Sequence, residues 1–442
     1  MRARRTILPQ RLSEYIMANS YLQIWLQRQI ADSTFPANRE DWYISKGYGT
    51  NESTLDERFT LFEQSVRQEE TPYYESFRDI ALQRSEVDVT LANQTPCRTE
   101  VIAFHNNNNR DLLSPGYGAG KHIVYFTGIA SLYQNCFGDI TEAVRITEAS
   151  YYAFEYPGMR HLGGEVLEVN DLVNTGIAVT NDLLRKGISI DDIIFQGDSF
   201  GAAIARKVSD QFKLQAGVEI RCILNNTFST FQEAVQNALN QSIWQKPLKP
   251  AVRPVLRYLG WDIRPGDLYG QDTPYRIHVN HVGDLTLGRA TLAELIESNS
   301  QLQDFVDPCP EDYREIRDSY NHLHWAKLSA YGEQYLETKY GRNSEGLIDT
   351  HLADLTLLVY EDGQGVYNKL ICKYLSDSNQ YVMAHPQSLT LEQLPQPLQS
   401  DTVSLCELMM PSFSNPFGFF SGESTVQNET EHSYSQIPSI EP

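Results

Sequence analysis

Several features that would fix the class of this chain at once are scarce or missing. Its six cysteines (Cys97, Cys136, Cys222, Cys309, Cys372 and Cys406) are scattered, with no C-x-x-C pair and no tight spacing with histidine. Neither a zinc site nor a disulfide scaffold is expected, no metal or organic cofactor is implied, and a reducing compartment fits best. Basic residues are outnumbered, 36 Lys and Arg against 57 Asp and Glu, for a net charge of −21. That balance argues against nucleic acid or an anionic membrane surface as a partner, while a lipid substrate held by apolar burial stays open. No stretch reaches the roughly 18 apolar residues that an integral membrane segment needs. The start, Met1-Arg2-Ala3-Arg4-Arg5, is basic, but Pro9, Gln10, Arg11 and Glu14 interrupt the segment behind it, unlike a secretory signal peptide. A soluble, cytoplasmic chain is expected. No internal repeat is evident.

What is present is a chain of 442 residues, 41% of them hydrophobic, enough for one large α/β domain with decorations or two ordinary ones. Residues 1–85 read as an N-terminal helical extension, with Phe59, Leu61, Phe62 and Val66 on one apolar face. From Val87 the period changes to two, and two alternating runs flank Asn93-Gln94-Thr95-Pro96, which predicts an edge hairpin. Buried strands at His122–Phe126, Tyr151–Tyr156, Ile193–Gln196, Arg221–Asn226 and Tyr275–Val282 alternate with helical spacing. Such alternation predicts an α/β fold, a mostly parallel central sheet with helices on both faces and a site at the carboxyl ends of its strands. The core is drawn over 86–345, with a lid or cap insertion at about 228–273 whose Trp244, Leu256, Tyr258, Leu259 and Trp261 either line a pocket or simply pack. Residues 346–385 read as a C-terminal extension, and 386–442 as a Pro/Ser/Glu-rich tail, with disorder expected in at least its last twenty residues.

The stretch that organises the rest is Gly197-Asp198-Ser199-Phe200-Gly201, between the apolar run Ile193-Ile194-Phe195 and the small residues Ala202 and Ala203. G-x-S-x-G carries weight only in a strand–turn–helix setting, and this is one. A serine at the tip of so sharp a turn sits in strained backbone. The residues two before and two after it must lack bulk, because the helix folds back on the strand there.

On these residues the chain resembles the α/β-hydrolase superfamily, in its lipase/esterase-like branch, over about residues 87 to 330. The resemblance implies Ser199 as nucleophile. It places the first oxyanion loop at Phe126-Thr127-Gly128-Ile129, so the N–H of Phe200 and one from Gly128 or Ile129 would form the oxyanion hole. Gly128 has a competing explanation, a turn that needs positive φ. Tyr156-Pro157-Gly158-Met159 matches the family's aromatic-x-Gly turn. Val282-Gly283-Asp284 ends a strand where the family places its acid, which favours Asp284 over Asp262, Asp267 and Asp272. For the base the family has a strand, a loop bearing histidine and a last helix. His322 fits that position best and His324 next, with His351 and His385 as the remaining alternatives. His278 and His281 read as packing or hydrogen-bonding residues, and His161 as an ordinary loop residue. A weaker similarity is to uncharacterised α/β hydrolases of intracellular bacteria such as chlamydiae and legionellae, some of them secreted effectors.

The expected function is hydrolysis of a carboxylic ester, thioester or lipid acyl bond through a Ser-His-Asp triad and an acyl-enzyme, on a small-molecule or lipid acyl substrate. The absence of a His-Gly-Gly-Gly stretch disfavours the hormone-sensitive-lipase type. Two alternatives stand beside it. One is amide or peptide hydrolysis on the same scaffold. The other is a non-catalytic hydrolase-like binding protein, including an effector delivered into a host cell.

Overall fold

The structure, a computed structural model, describes residues 23, 24, 26–28, 47–50, 52–68, 79–106, 120–128, 133, 134, 136–157, 164–240, 249–265, 276–287, 290, 291, 324–343, 346–360, 363–384 and 386–400. Among them, nine strands form one sheet. These are β1 (Ile80–Thr90), β2 (Pro96–Asn106), β3 (His122–Phe126), β4 (Ser150–Phe154), β5 (Ile193–Asp198), β6 (Arg221–Asn225), β7 (Arg276–His281), β8 (His324–Leu328) and β9 (Leu358–Val359), in the spatial order β1-β2-β4-β3-β5-β6-β7-β8-β9. The expected edge hairpin is β1–β2, with Gln94 at φ 66 in its turn. β2 also runs antiparallel to β4, the six strands from β4 to β8 are parallel, and β9 returns antiparallel to β8.

Helices cover both faces. On one, α1 (Leu55–Gln68) and α2 (Phe137–Thr147) meet through Phe62 and Phe137, whose rings are 5.0 Å apart, over Ile123, Ile194 and Ile223. Leu61, expected on the same helix face as Phe59 and Phe62, is instead exposed. On the other face, α3 (Val169–Arg185) and α4 (Phe200–Ala216) pack through Val173, Ile177, Ile204 and Val208 over Val124 and Phe195. The chain leaves β3 for β4 on one side and returns to place β5 on the other, so the winding reverses between β3 and β5. In sheets of this kind such a reversal, at the carboxyl ends of the strands, is where ligands bind. This is the α/β-hydrolase arrangement.

Further helices among the described residues include α5 (Phe231–Asn240), α6 (Lys249–Tyr258), α7 (Ala330–Tyr340) and α8 (Cys372–Ala384). In the segment expected to form a lid, Val252, Leu256, Tyr258, Leu259 and Trp261 are buried in the same core as Phe200; Trp244 lies outside the described residues. Two boundaries differ from expectation. The sheet begins at Ile80, inside the span read as helical extension. Residues read as a C-terminal extension belong to the core, since Leu355, Leu358, Ile371 and Leu375 pack with Ile194 and Ile277. The first fifteen residues of the expected tail, 386–400, run as a strap along α3 and α4 with a 3-10 turn at Leu391–Gln393, and the rest lies outside the described residues. Among the described residues no helix is long and apolar enough to cross a membrane.

Candidate active site

β5 ends at Asp198 and α4 begins at Phe200, which leaves a single residue, Ser199, to make the turn. Its backbone sits at φ 51, ψ −113, a sparsely populated region that costs on the order of 1–3 kcal/mol. The Asn225 carbonyl holds the Ser199 N–H at 2.8 Å. The flanking glycines are sterically required. A Cβ on Gly197 would come within 2.6 Å of backbone atoms of Gly201 and Ala202, and one on Gly201 would run into the carbonyl oxygens of Phe126 and Thr127. The serine therefore stands at the positive end of a helix of 17 residues, a favourable place for developing negative charge.

The imidazole beside it is that of His351. Ser199 Oγ lies 3.0 Å from His351 Nε2, and His351 Nδ1 lies 3.0 Å from Asp284 Oδ2. Asp284 lies just past the end of β7. Its carboxylate is clamped at both oxygens: Oδ1 accepts the Leu287 N–H at 2.8 Å, and Oδ2 accepts Asn226 Nδ2 at 2.8 Å as well as the imidazole. Burial by itself would raise the Asp284 pKa, but the hydrogen bond and charge of His351 and the Leu287 and Asn226 donors outweigh it, and the carboxyl sits below its ordinary value. An ionised carboxylate at this distance can accept from Nδ1 only in the tautomer that bears its proton there, and that tautomer turns the Nε2 lone pair to the serine.

His351 replaces His322 and His324 as the histidine at the serine. His322 lies outside the described residues. His324 opens β8 in register with Val279, inside a strand rather than in a loop beyond a strand end. The expected order of strand, histidine loop and helix is interrupted, because α7 follows β8 directly and the histidine comes after it. His351 occupies a single 3-10 turn, Thr350–Leu352, capped by the Asp349 side chain through the His351 N–H at 3.0 Å. The Asp349 carboxylate also accepts the Leu285 N–H and the Thr286 hydroxyl, which ties this turn to the loop of Asp284. A further tie runs from His281, whose Nδ1 is 2.7 Å from the Thr350 carbonyl. Asp349 and Asn226 escaped the sequence reading. An Asp-Thr-His run with capping spacing and an Asn-Asn pair at a strand end were the signals available for them.

Gly128 lies at the end of β3 in ordinary backbone, so positive φ does not explain it. A Cβ there would be 3.3 Å from the Asp198 carbonyl and 3.8 Å from the Ser199 Cβ, so the β3 loop passes directly beside the serine. Ile129 and His161 lie outside the described residues, as do Asp267, Asp272 and His385. Behind the serine, Phe200 packs on Phe231, Phe228 and Trp261 at centroid distances of 5.3, 5.9 and 6.3 Å. Leu256, Tyr258, Leu259 and Trp261, weighed as pocket lining from sequence, are packing residues by this measure. The Asp198 carboxylate accepts the Tyr125 hydroxyl and Asn225 Nδ2. Among the described residues no group of three His, Cys, Asp or Glu side chains is placed to hold a metal ion.

Residues 346–413 match a family model described as the C-terminal domain of SdbC, and this span includes His351. No curated protein matches the chain. Among solved structures, an alpha-beta hydrolase from Vibrio vulnificus is 16% identical over 72% of this chain and 91% of its own, with a TM-score of 0.40. An esterase of the bacterial hormone-sensitive lipase family is 16% identical over 64% of this chain and 95% of its own, at 0.36. An esterase of Pyrococcus furiosus is 13% identical over 56% and 81%, at 0.35.

Proposed function

We propose that this chain is a serine hydrolase that cleaves a carboxylic ester, thioester or lipid acyl bond through an acyl-enzyme. One observation carries the reading: a serine in strained elbow backbone lies 3.0 Å from an imidazole nitrogen whose other nitrogen lies 3.0 Å from a buried carboxylate. A serine hydroxyl is a weak nucleophile until a base takes its proton. His351 Nε2 takes it as Oγ bonds to the acyl carbon, and the imidazolium that forms is stabilised by Asp284. The imidazolium then protonates the departing alcohol or thiol. Water attacks the acyl-enzyme with His351 again as base, and Ser199 is regenerated.

The charge that develops on the acyl oxygen needs fixed donors, each worth about 3 kcal/mol of barrier. The Phe200 N–H at the start of α4 and one N–H of the Gly128-Ile129 loop are assigned to it. The Phe200 N–H lies on backbone that the elbow already fixes, so little reorganisation is needed there as charge builds.

The test is a fluorophosphonate probe followed by a p-nitrophenyl ester panel of increasing chain length. Labelling of the wild type and not of Ser199→Ala, with turnover of at least one ester, supports the reading. Absence of labelling in both would overturn it in favour of a binding protein. Labelling without turnover of any ester would move the substrate to amides.

A further inference from the structure

We propose that Asn226 is a positioning residue for the acid–base pair, acting through Asp284; the inference rests on the hydrolase reading. Asn226 stands one residue past β6 at φ 50, left-handed backbone in which a side chain other than glycine is uncommon and asparagine is best tolerated. It is buried and held at three points. Its N–H donates to the Val279 carbonyl at 2.6 Å, its Oδ1 accepts the His281 N–H at 3.4 Å, and its Nδ2 donates to Asp284 Oδ2 at 2.8 Å.

The same Nδ2 lies 3.2 Å from His351 Nδ1. Two N–H groups cannot donate to each other, so the side-chain amide and the imidazole converge as donors on one carboxylate oxygen. With Oδ1 already taken by the Leu287 N–H, the amide removes the remaining freedom of the carboxylate to swing away from the ring. An amide does this without charge. A carboxylate at the same place would set a second anion against the imidazole and make it a stronger base, protonated when it should be accepting a proton. The titratable groups around His351 are Asp284 after β7, His281 within β7, Asp349 in its own turn and Asp198 at the end of β5. Of these, Asp284 alone bonds the ring by a side-chain contact among the described residues.

Two substitutions separate this role from a merely structural one. Asn226→Gly keeps the left-handed backbone and deletes the amide, while Asn226→Asp keeps the shape and replaces a donor by a negative charge. The glycine variant should lose about 10- to 100-fold in kcat on a p-nitrophenyl ester with little change in KM, because a loosened acid misplaces the base. In the aspartate variant the acid limb of kcat/KM should move to higher pH by about one unit or more. The downfield Nδ1 proton resonance of His351 should shift in both variants, with no substrate present. A merely structural residue would leave the acid limb and that resonance in place. If wild-type turnover is robust and neither readout moves, the positioning role is wrong and the hydrolase reading survives. If the wild type neither labels with fluorophosphonate nor turns over esters, both fall together. Should the glycine variant fail to fold, the acid limb of the aspartate variant decides alone.

Discussion

The carboxylate of Asp349 accepts the backbone N–H of Leu285 at 2.9 Å across a separation of 64 residues. Leu285 directly follows Asp284, and Asp349 caps the turn that carries His351. One side chain thus sets the distance between the loops of the proposed acid and base.

Asp349→Ala should therefore act on turnover more than on substrate binding. The turn would lose its cap, and the Leu285 N–H and Thr286 hydroxyl their acceptor, a stability cost of about 1–2 kcal/mol. A fall in kcat of about tenfold or more is expected, since misplacing a catalytic group by a fraction of an ångström weakens proton transfer steeply. Steady-state kinetics beside a urea unfolding curve measure both effects. A variant that is destabilised yet keeps wild-type kcat would show that the cap serves folding only.

The histidine series gives the sharpest comparison. His351→Ala should reduce ester turnover by about 10³-fold or more and abolish fluorophosphonate labelling, as expected when one member of a triad is removed. His322→Ala and His324→Ala should label at the wild-type rate. Labelling that is lost in either of the latter and kept in His351→Ala would reverse the assignment.

How the site could be half read from sequence is clear from where its members sit. Ser199 was legible because sterics dictate spelling: two glycines at fixed offsets have no substitute where a helix folds back against its strand. Asp284 was legible because it ends an apolar strand of clear pattern. The hairpin and the alternation of strands and helices were legible for the same reason, a regular period. His351 has no period around it. Its turn is three residues long, and the strand that should announce it, His324–Leu328, is short, mixed in polarity and preceded by an acidic, proline-broken run. Asn226 was illegible for another reason: its value lies in contacts with residues 53 to 125 positions away, which local pattern does not encode.

Asp284 also sets an acid dependence whose sign can be worked out. Its folded-state pKa lies below the ordinary carboxylate value, because donors from His351, Leu287 and Asn226 outweigh burial. A depressed carboxylate contributes stability that is fully present above the unfolded-state pKa of about 4 and is lost as pH falls through the folded-state value. Asp284→Asn should be less stable than wild type at neutral pH, and the difference should shrink as pH falls below about 4. Chemical unfolding at a series of pH values checks this. A difference that stays constant across the acidic range would mean that Asp284 is not held ionised by its neighbours. The same variant should lose about 10⁴-fold in turnover, since an amide there favours the wrong imidazole tautomer.

The strap over residues 386–400 is held chiefly by side-chain amides rather than by a sheet. Asn174 grips the Leu398 backbone at both ends, its Nδ2 donating to the carbonyl at 2.9 Å and its Oδ1 accepting the N–H at 2.6 Å. Asn170 and Asn181, on the same helix, donate to the carbonyls of Gln399 and Pro395, and Gln215 at the end of α4 accepts the Gln396 N–H. Leu389 and Leu398 pack against the core beneath, and Leu394 is buried. Since α4 carries the serine at its start, a strap bridging α3 and α4 braces the helix behind the elbow. Asn174→Ala leaves two backbone groups without their partner and should cost about 1–3 kcal/mol. Ending the chain at 385 uncovers the asparagine row and removes three packed leucines together, and should cost more than that single substitution. If the truncated chain unfolds at the wild-type urea midpoint, the strap lies on the surface without bracing it. If it is less stable but labels with fluorophosphonate at the wild-type rate, the brace supports the fold and leaves the elbow unaffected.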